Sequence, residues 1–165
     1  MDLIPTTPND RPALLNLAEY YTYDFSDLLG LNVGEDGRFG GHHFDRHFED
    51  PVCHPFLIRV EGTLAGFAVH EGRSRLNGEV GVNDVAEFFV LKRFRKLTIG
   101  ERAAHALFDR FPGRWEVRQV ASNVGATAFW RKAIERYTKG GYDEVLWNDD
   151  HFRGVVQRFQ TSAAR

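Results

Sequence analysis

Apolar positions along the chain recur with two periods. From Asn9 to Gly30, Leu14, Leu17, Ala18, Tyr21, Phe25 and Leu28 follow three- and four-residue steps, which predicts a helix. Asn9 or Asp10 can cap it, Pro12 suits its first turn and Gly30 can stop it. Residues 1–4 read as a short strand before it. The stretch to Gly41 is glycine-rich and reads as loop, and "HHFDRHFED" as a shorter helix ended by Pro51. "PFLIRV-EG-TLAGFAVHEG" predicts a hairpin turning at Glu61-Gly62. "RSRLNGEVGVND" then reads as a solvent-exposed connection, residues 84–91 as a strand, and 98–111 as a helix stopped by Pro112-Gly113. "RWEVRQVAS" is the next strand. A further helix opens at Asn123, with Ala126, Phe129, Trp130, Ala133, Ile134 and Tyr137 as one stripe and Gly140-Gly141 at its end. "YDEVLW-NDDH-FRGVVQRF" closes the chain as a hairpin. The order β-α-α-β-β-β-α-β-α-β-β predicts one α/β domain over 1–165, a mixed sheet with helices on both faces.

Composition narrows the classes. A hydrophobic fraction of 42% with 14 Phe predicts a compact globule. No run approaches the ~18 apolar residues of a membrane span, and "MDLIPTTPND" lacks the pattern of a signal peptide. A single cysteine, Cys53, gives no internal disulfide, so the expected location is cytoplasmic. Lys and Arg number 21 against 23 Asp and Glu, which argues against a nucleic-acid partner. The positive charge of Lys92, Arg93, Arg95, Lys96 and Arg102 is therefore local, and local charge suits a small anionic ligand.

That cluster sits at a junction with its own logic. "VAEFFVL" is apolar on both faces, Phe88 and Val90 on one and Phe89 and Leu91 on the other, as in a mid-sheet strand. A basic turn and a helix start follow it, and the free amides of a helix N-terminus favour anions such as pyrophosphate. Neither GxxxxGK[ST] nor GxGxxG is present. The stretch resembles motif A of the GNAT superfamily of N-acetyltransferases, [RQ]-x-x-G-x-[GA]. Here it reads Arg95-Lys96-Leu97-Thr98-Ile99-Gly100, five residues after Val90, with Thr98 where the middle glycine is expected. The family's N-x-x-A-x-x-F-[YF] is matched by Asn123-Val124-Gly125-Ala126-Thr127-Ala128-Phe129-Trp130.

The resemblance implies a mostly antiparallel central sheet of about seven strands, splayed at its central parallel pair. It implies acetyl-CoA as co-substrate and no metal. Backbone groups around Phe89, Val90 and Leu91 would take the pantetheine arm and polarise the thioester carbonyl. Arg95, Lys96, Leu97, Thr98, Ile99, Gly100 and Glu101 would hold the pyrophosphate, and Asn123, Ala126, Phe129 and Trp130 would flank the cofactor. Asn123 would contact the cofactor arm or fix the start of its own helix. A primary amine of a small molecule or peptide would attack directly, with no membrane partner and with a homodimer as the implied assembly. A non-catalytic acyl-CoA sensor of the same fold is the alternative, motivated by Thr98 and Trp130. A nucleotide-phosphate binder using the basic turn is a third reading.

Direct attack needs a base for the acceptor ammonium. Glu87 stands among Phe88 and Phe89, where desolvation would raise its proton affinity. Its bland reading is a buried carboxylate satisfied by backbone amides or by an arginine such as Arg118. Asp84, at the start of the strand, is the second candidate. Trp130 replaces the family's tyrosine acid, and its indole cannot donate a proton at ordinary pH. Tyr137 is either a substitute or core. His42, His43 and His47, with Asp45, Glu49 and Asp50, suggest a metal at first sight, but these carboxylates scatter around the helix and read as solvated face or acceptor lining. Tyr20, Tyr21, Tyr23, Phe25, Phe39, Phe44 and Phe48 line an amine pocket or fill core. Nothing marks Cys53 as an activated nucleophile.

Overall fold

The structure, a computed structural model, describes residues 1–40, 44–95 and 97–162. Seven strands form one mixed sheet in the order β1-β2-β3-β4-β5-β7-β6. They are β1 (Asp2–Pro5), β2 (Cys53–Val60), β3 (Thr63–Arg73), β4 (Val80–Val90), β5 (Gly113–Val120), β6 (Tyr142–Asn148) and β7 (Arg153–Thr161). The α-helices are α1 (Arg11–Leu29), α2 (Arg46–Glu49), α3 (Ile99–Arg110) and α4 (Val124–Thr138). β4 and β5 pair in parallel, from Val82 against Arg114 to Asp84 against Glu116, whereas β1–β2, β5–β7 and β6–β7 are antiparallel.

Local chemistry accounts for the boundaries. Pro12 lies in the first turn of α1, and Gly30 ends it in the left-handed region at φ 63°. Glu61 and Gly62 have φ of 50° and 77°, the mirror-image geometry that a two-residue hairpin loop requires. Two elements differ from expectation. β4 begins at Val80 rather than 84, so the exposed connection shrinks to a turn in which the Ser74 amide donates to Glu79 O. Gly81, at φ 83°, interrupts the alternation that would have revealed the earlier start. α2 has only four residues, because Phe44, fully buried, belongs to the turn before it.

The chain divides into two compact units, 1–69 with 87–100, and 70–86 with 101–165. The core of the first is built from Leu14, Leu17 and Ala18 of α1 with Phe44, Ile58 and Phe67. The second packs Leu107 and Phe108 of α3 and Trp130 and Ile134 of α4 with Trp115 and Phe159. Phe108 meets both Trp115 and Phe159 at centroid distances of 4.9 Å, edge to face.

Candidate active site

The end of β4 is held by tight backbone approach. Gly66 of β3 lies so near the Phe89 carbonyl that a Cβ there would sit 2.0 Å from its oxygen, so only glycine fits. Phe89 and Val90 are buried. The Leu91 amide donates to Ala65 O at 2.8 Å, which commits it to β3 and corrects the expectation that it serves a thioester. Successive amides along an extended strand point to opposite edges, so the Val90 amide points away from β3. The Val90 carbonyl accepts from Arg95 Nε at 2.7 Å.

The basic turn is less open than its sequence suggests. A 3-10 turn, Lys92–Phe94, follows β4. Arg95 pairs with Asp24 of α1 and lies over the Phe89 ring at 5.6 Å, and Lys92 Nζ stands 3.6 Å from Asp24 Oδ1. The guanidinium is thus pre-positioned by a carboxylate. Lys96 lies outside the described residues. Leu97 is exposed and Ile99 buried, with Gly100 half-buried in the first turn of α3. Thr98, where the motif asks for glycine, takes the glycine conformation: φ is 60°, an uncommon and strained position for a β-branched residue. Its hydroxyl donates to the Leu97 carbonyl at 2.6 Å.

Glu87 is the carboxylate of the first unit. Tyr21 of α1 donates its phenol to Oε2 at 2.8 Å, and His47 of α2 places Nε2 3.7 Å from Oε1. His47 is fully buried, Glu87 only 14% exposed, and neither ring nitrogen of His47 has a hydrogen-bond partner among the described residues. Phe25, Phe44, Phe67 and Phe89 surround the Tyr21 ring at centroid distances of 4.7–5.9 Å. The helical stripe containing Tyr21 therefore packs as core and still delivers a polar group.

Asp84, in the second unit, has a different setting. It is fully buried and grips Arg118 through Nε–Oδ2 at 2.9 Å and Nη2–Oδ1 at 3.4 Å. Burial pushes its carboxyl above the usual range, and Arg118 opposes that shift. Arg118, one of the groups considered as a way of satisfying Glu87, is bonded instead to Asp84. Its guanidinium also lies over the Phe152 ring at 5.4 Å.

The second motif builds a helix start. Asn123 caps α4, its Oδ1 accepting from the Ala126 amide at 3.0 Å, which favours the second of its two expected roles. Trp130 is buried, while Ala126 and Phe129 are half-buried. Glu101 binds Arg136 at 2.7 Å. Tyr137 donates to Asp109 at 2.7 Å, and burial together with that bond pushes its phenol well above the ordinary value, a poor setting for a proton donor. Of the histidine group, His42 and His43 lie outside the described residues. Asp45 and Glu49 turn to Arg11 at 2.9 and 3.6 Å, and Asp50 accepts from the Val52 amide. Sequence reasoning missed Asp24, Gly66 and the pairing of Tyr21 with Glu87. Only Gly66 carried a signal, a glycine inside an apolar strand.

Comparison with known proteins agrees with this geometry. The profile of the Acetyltransferase (GNAT) family matches residues 17–134, from α1 through β4 and the basic turn into α4. Among curated proteins nothing matches. Among solved structures, the chain is similar to an acetyltransferase from Thermus thermophilus, with a TM-score of 0.67, 18% identity and 96% of each chain covered. It is similar to the ribosomal-protein-S18-alanine N-acetyltransferase from Escherichia coli, with a TM-score of 0.61 and 14% identity over 99% of this chain and 96% of that one. The spermidine N-acetyltransferase from Vibrio cholerae gives 0.58 and 12% over 98% and 95%. At these identities the structures establish the fold, and the profile match over most of the chain establishes the family: this chain belongs to the GNAT acetyltransferases.

Proposed function

We propose that the protein is a cytoplasmic N-acetyltransferase that moves an acetyl group from acetyl-CoA to a primary amine of a small molecule or peptide. The observation that carries this reading is the run from Val90 to Gly100, a strand end, basic turn and helix start, inside the family match. The amides at the start of α3 favour a diphosphate through their unpaired N–H groups and the helix dipole. Arg95 and Lys92 supply charge beside them. Asn123 acts by fixing the start of α4. The single cysteine, Cys53, buried on β2, fits a reducing compartment.

In a ternary complex the acceptor ammonium gives its proton to Glu87. The amine nitrogen then forms a bond to the acetyl carbon as the carbon–sulfur bond breaks, the electron pair leaves on the CoA thiolate, and the nitrogen gives up its second proton to water as the amide forms. The Val90 amide, which points away from β3, would polarise the thioester carbonyl. Trp130 cannot protonate the thiolate and Tyr137 is tied to Asp109, so the proton comes from water. That missing acid is also the observation that favours a second reading, an acyl-CoA sensor without turnover.

A thermal shift with acetyl-CoA tests both readings. Ligand at a hundredfold excess over Kd adds about 2.7 kcal/mol, a rise of roughly 5–10 °C for a chain of this size. No rise would remove every CoA-dependent role. Free thiol released with spermidine or with a peptide beginning in alanine, the acceptors named for two structural neighbours, supports the transferase over the sensor.

A further inference from the structure

Two cations that follow β4 share one carboxylate of α1. Asp24 turns Oδ2 to Arg95 Nη2, and its Oδ1 stands 3.6 Å from Lys92 Nζ. The Asp24 side chain is 21% exposed, against 39% for Arg95 and 73% for Lys92, so the acid is the best-held of the three. Its helix is anchored one turn earlier, where Phe25, Phe44, Phe67 and Phe89 surround the Tyr21 ring. Phe89 is also the ring over which the Arg95 guanidinium lies.

We propose that Asp24 is a positioning residue for Arg95, holding the guanidinium by one edge so that the other edge meets the diphosphate of the donor. This rests on the reading of the basic turn as the acetyl-CoA diphosphate site. A guanidinium carries five N–H donors in a planar fork. Nε donates to the Val90 carbonyl at 2.7 Å and Nη2 to Asp24, so the edge between these two nitrogens is spent inside the protein. Nη1 makes no hydrogen bond among the described residues. The edge formed by Nη1 and the second Nη2 hydrogen stays open, and that fork takes two phosphate oxygens side by side.

The Val90 carbonyl alone fixes the arginine at one point and leaves its plane free to turn. Asp24 supplies a second point and the Phe89 ring a third, so the plane is set before the ligand arrives. A side chain already ordered loses less entropy on binding. Lysine at this position carries a compact charge without a fork and cannot serve both edges. An acid beside an anion site also repels the anion. Two cations against one carboxylate, Arg95 and Lys92 against Asp24, leave the turn positive.

The test is calorimetric titration of the intact protein with acetyl-CoA, with the melting temperature of each variant recorded alongside. Asp24→Ala is expected to weaken acetyl-CoA roughly five- to tenfold. Asp24→Asn keeps an oxygen for Nη2 and should stay within about twofold of wild type. Inorganic pyrophosphate, measured by displacement of acetyl-CoA, should weaken in Asp24→Ala by the same factor. In an Arg95→Lys background Asp24→Ala should cost little more, because the fork it positions is gone. A folded Asp24→Ala protein that binds acetyl-CoA as well as wild type, or better, would overturn the proposal. So would Asp24→Asn as weak as Asp24→Ala, a pyrophosphate affinity that does not follow that of acetyl-CoA, or full additivity of the two substitutions. Should Asp24→Ala fail to fold, Arg95→Lys alone decides: it keeps the charge, loses the fork, and should weaken acetyl-CoA, whereas unchanged affinity overturns the proposal. Absence of acetyl-CoA binding in wild type is a separate result, which removes the donor reading and this inference with it.

Discussion

Two carboxylates on one strand, Asp84 and Glu87, show how differently the two compact units treat charge. In the second unit Asp84 is sealed from solvent and held by both arms of Arg118. Its neighbours follow the same rule. Gln119 and Gln157 exchange amide hydrogen bonds at 2.9 and 3.0 Å, and Asn123 spends its side chain on its own helix. In the first unit Glu87 keeps partial exposure, with a phenol on one oxygen and, 3.7 Å from the other, a His47 ring that makes no hydrogen bond among the described residues. The same unit holds Thr98 in a left-handed conformation. Satisfied polar groups stabilise; perturbed and strained ones, as at Thr98, are where chemistry tends to concentrate.

The largest effect expected from breaking this contrast is at Arg118. Arg118→Met strands a buried carboxylate and is predicted to cost about 3–5 kcal/mol in denaturant unfolding at neutral pH. The sign of its pH dependence follows from burial. Asp84 already has a folded-state proton affinity above the unfolded value, and losing Arg118 raises it further. Such a group contributes stability that is fully present below the unfolded value, near pH 4, and is lost as pH rises through the folded one. The deficit of Arg118→Met should therefore shrink as the solution is acidified, and the double variant with Asp84→Asn should recover most of it.

Asn123→Ala sharpens the contrast at a smaller scale. Loss of the cap is predicted to cost about 1 kcal/mol while acetyl-CoA affinity, measured by calorimetry, stays unchanged. A weakened affinity at unchanged stability would return Asn123 to the cofactor. Thr98→Gly is the smallest effect and has the opposite sign. Relief of a left-handed β-branched residue, offset by the backbone entropy of glycine, should raise stability by about 0.5 kcal/mol. A loss of stability would mean that the Thr98 hydroxyl on Leu97 outweighs the strain.

Much of this fold was readable in the sequence because its elements differ in period and end at residues with one physical use, Gly30 and Glu61-Gly62 among them. The start of β4 was hidden because Gly81 breaks its alternation. The site was readable where a local pattern imposed it: Thr98 in a glycine position does adopt glycine geometry. Partner choice was not, because it depends on register. Asp84 stands opposite Glu116, and Arg118, two residues further on β5, shares the face of Glu116. No spacing along the chain encodes that pairing. The stripe containing Tyr21 was ambiguous for another reason, since a core ring and a ring whose hydroxyl reaches a carboxylate have the same periodicity.

The most direct test of the account is turnover by Glu87→Gln at saturating acetyl-CoA and amine. The amide keeps the shape of the carboxylate and cannot take a proton at these pH values, so acetyl-CoA should bind as in wild type while kcat falls about 10²- to 10⁴-fold. A folded Glu87→Gln protein that binds acetyl-CoA and turns over at the wild-type rate would contradict it.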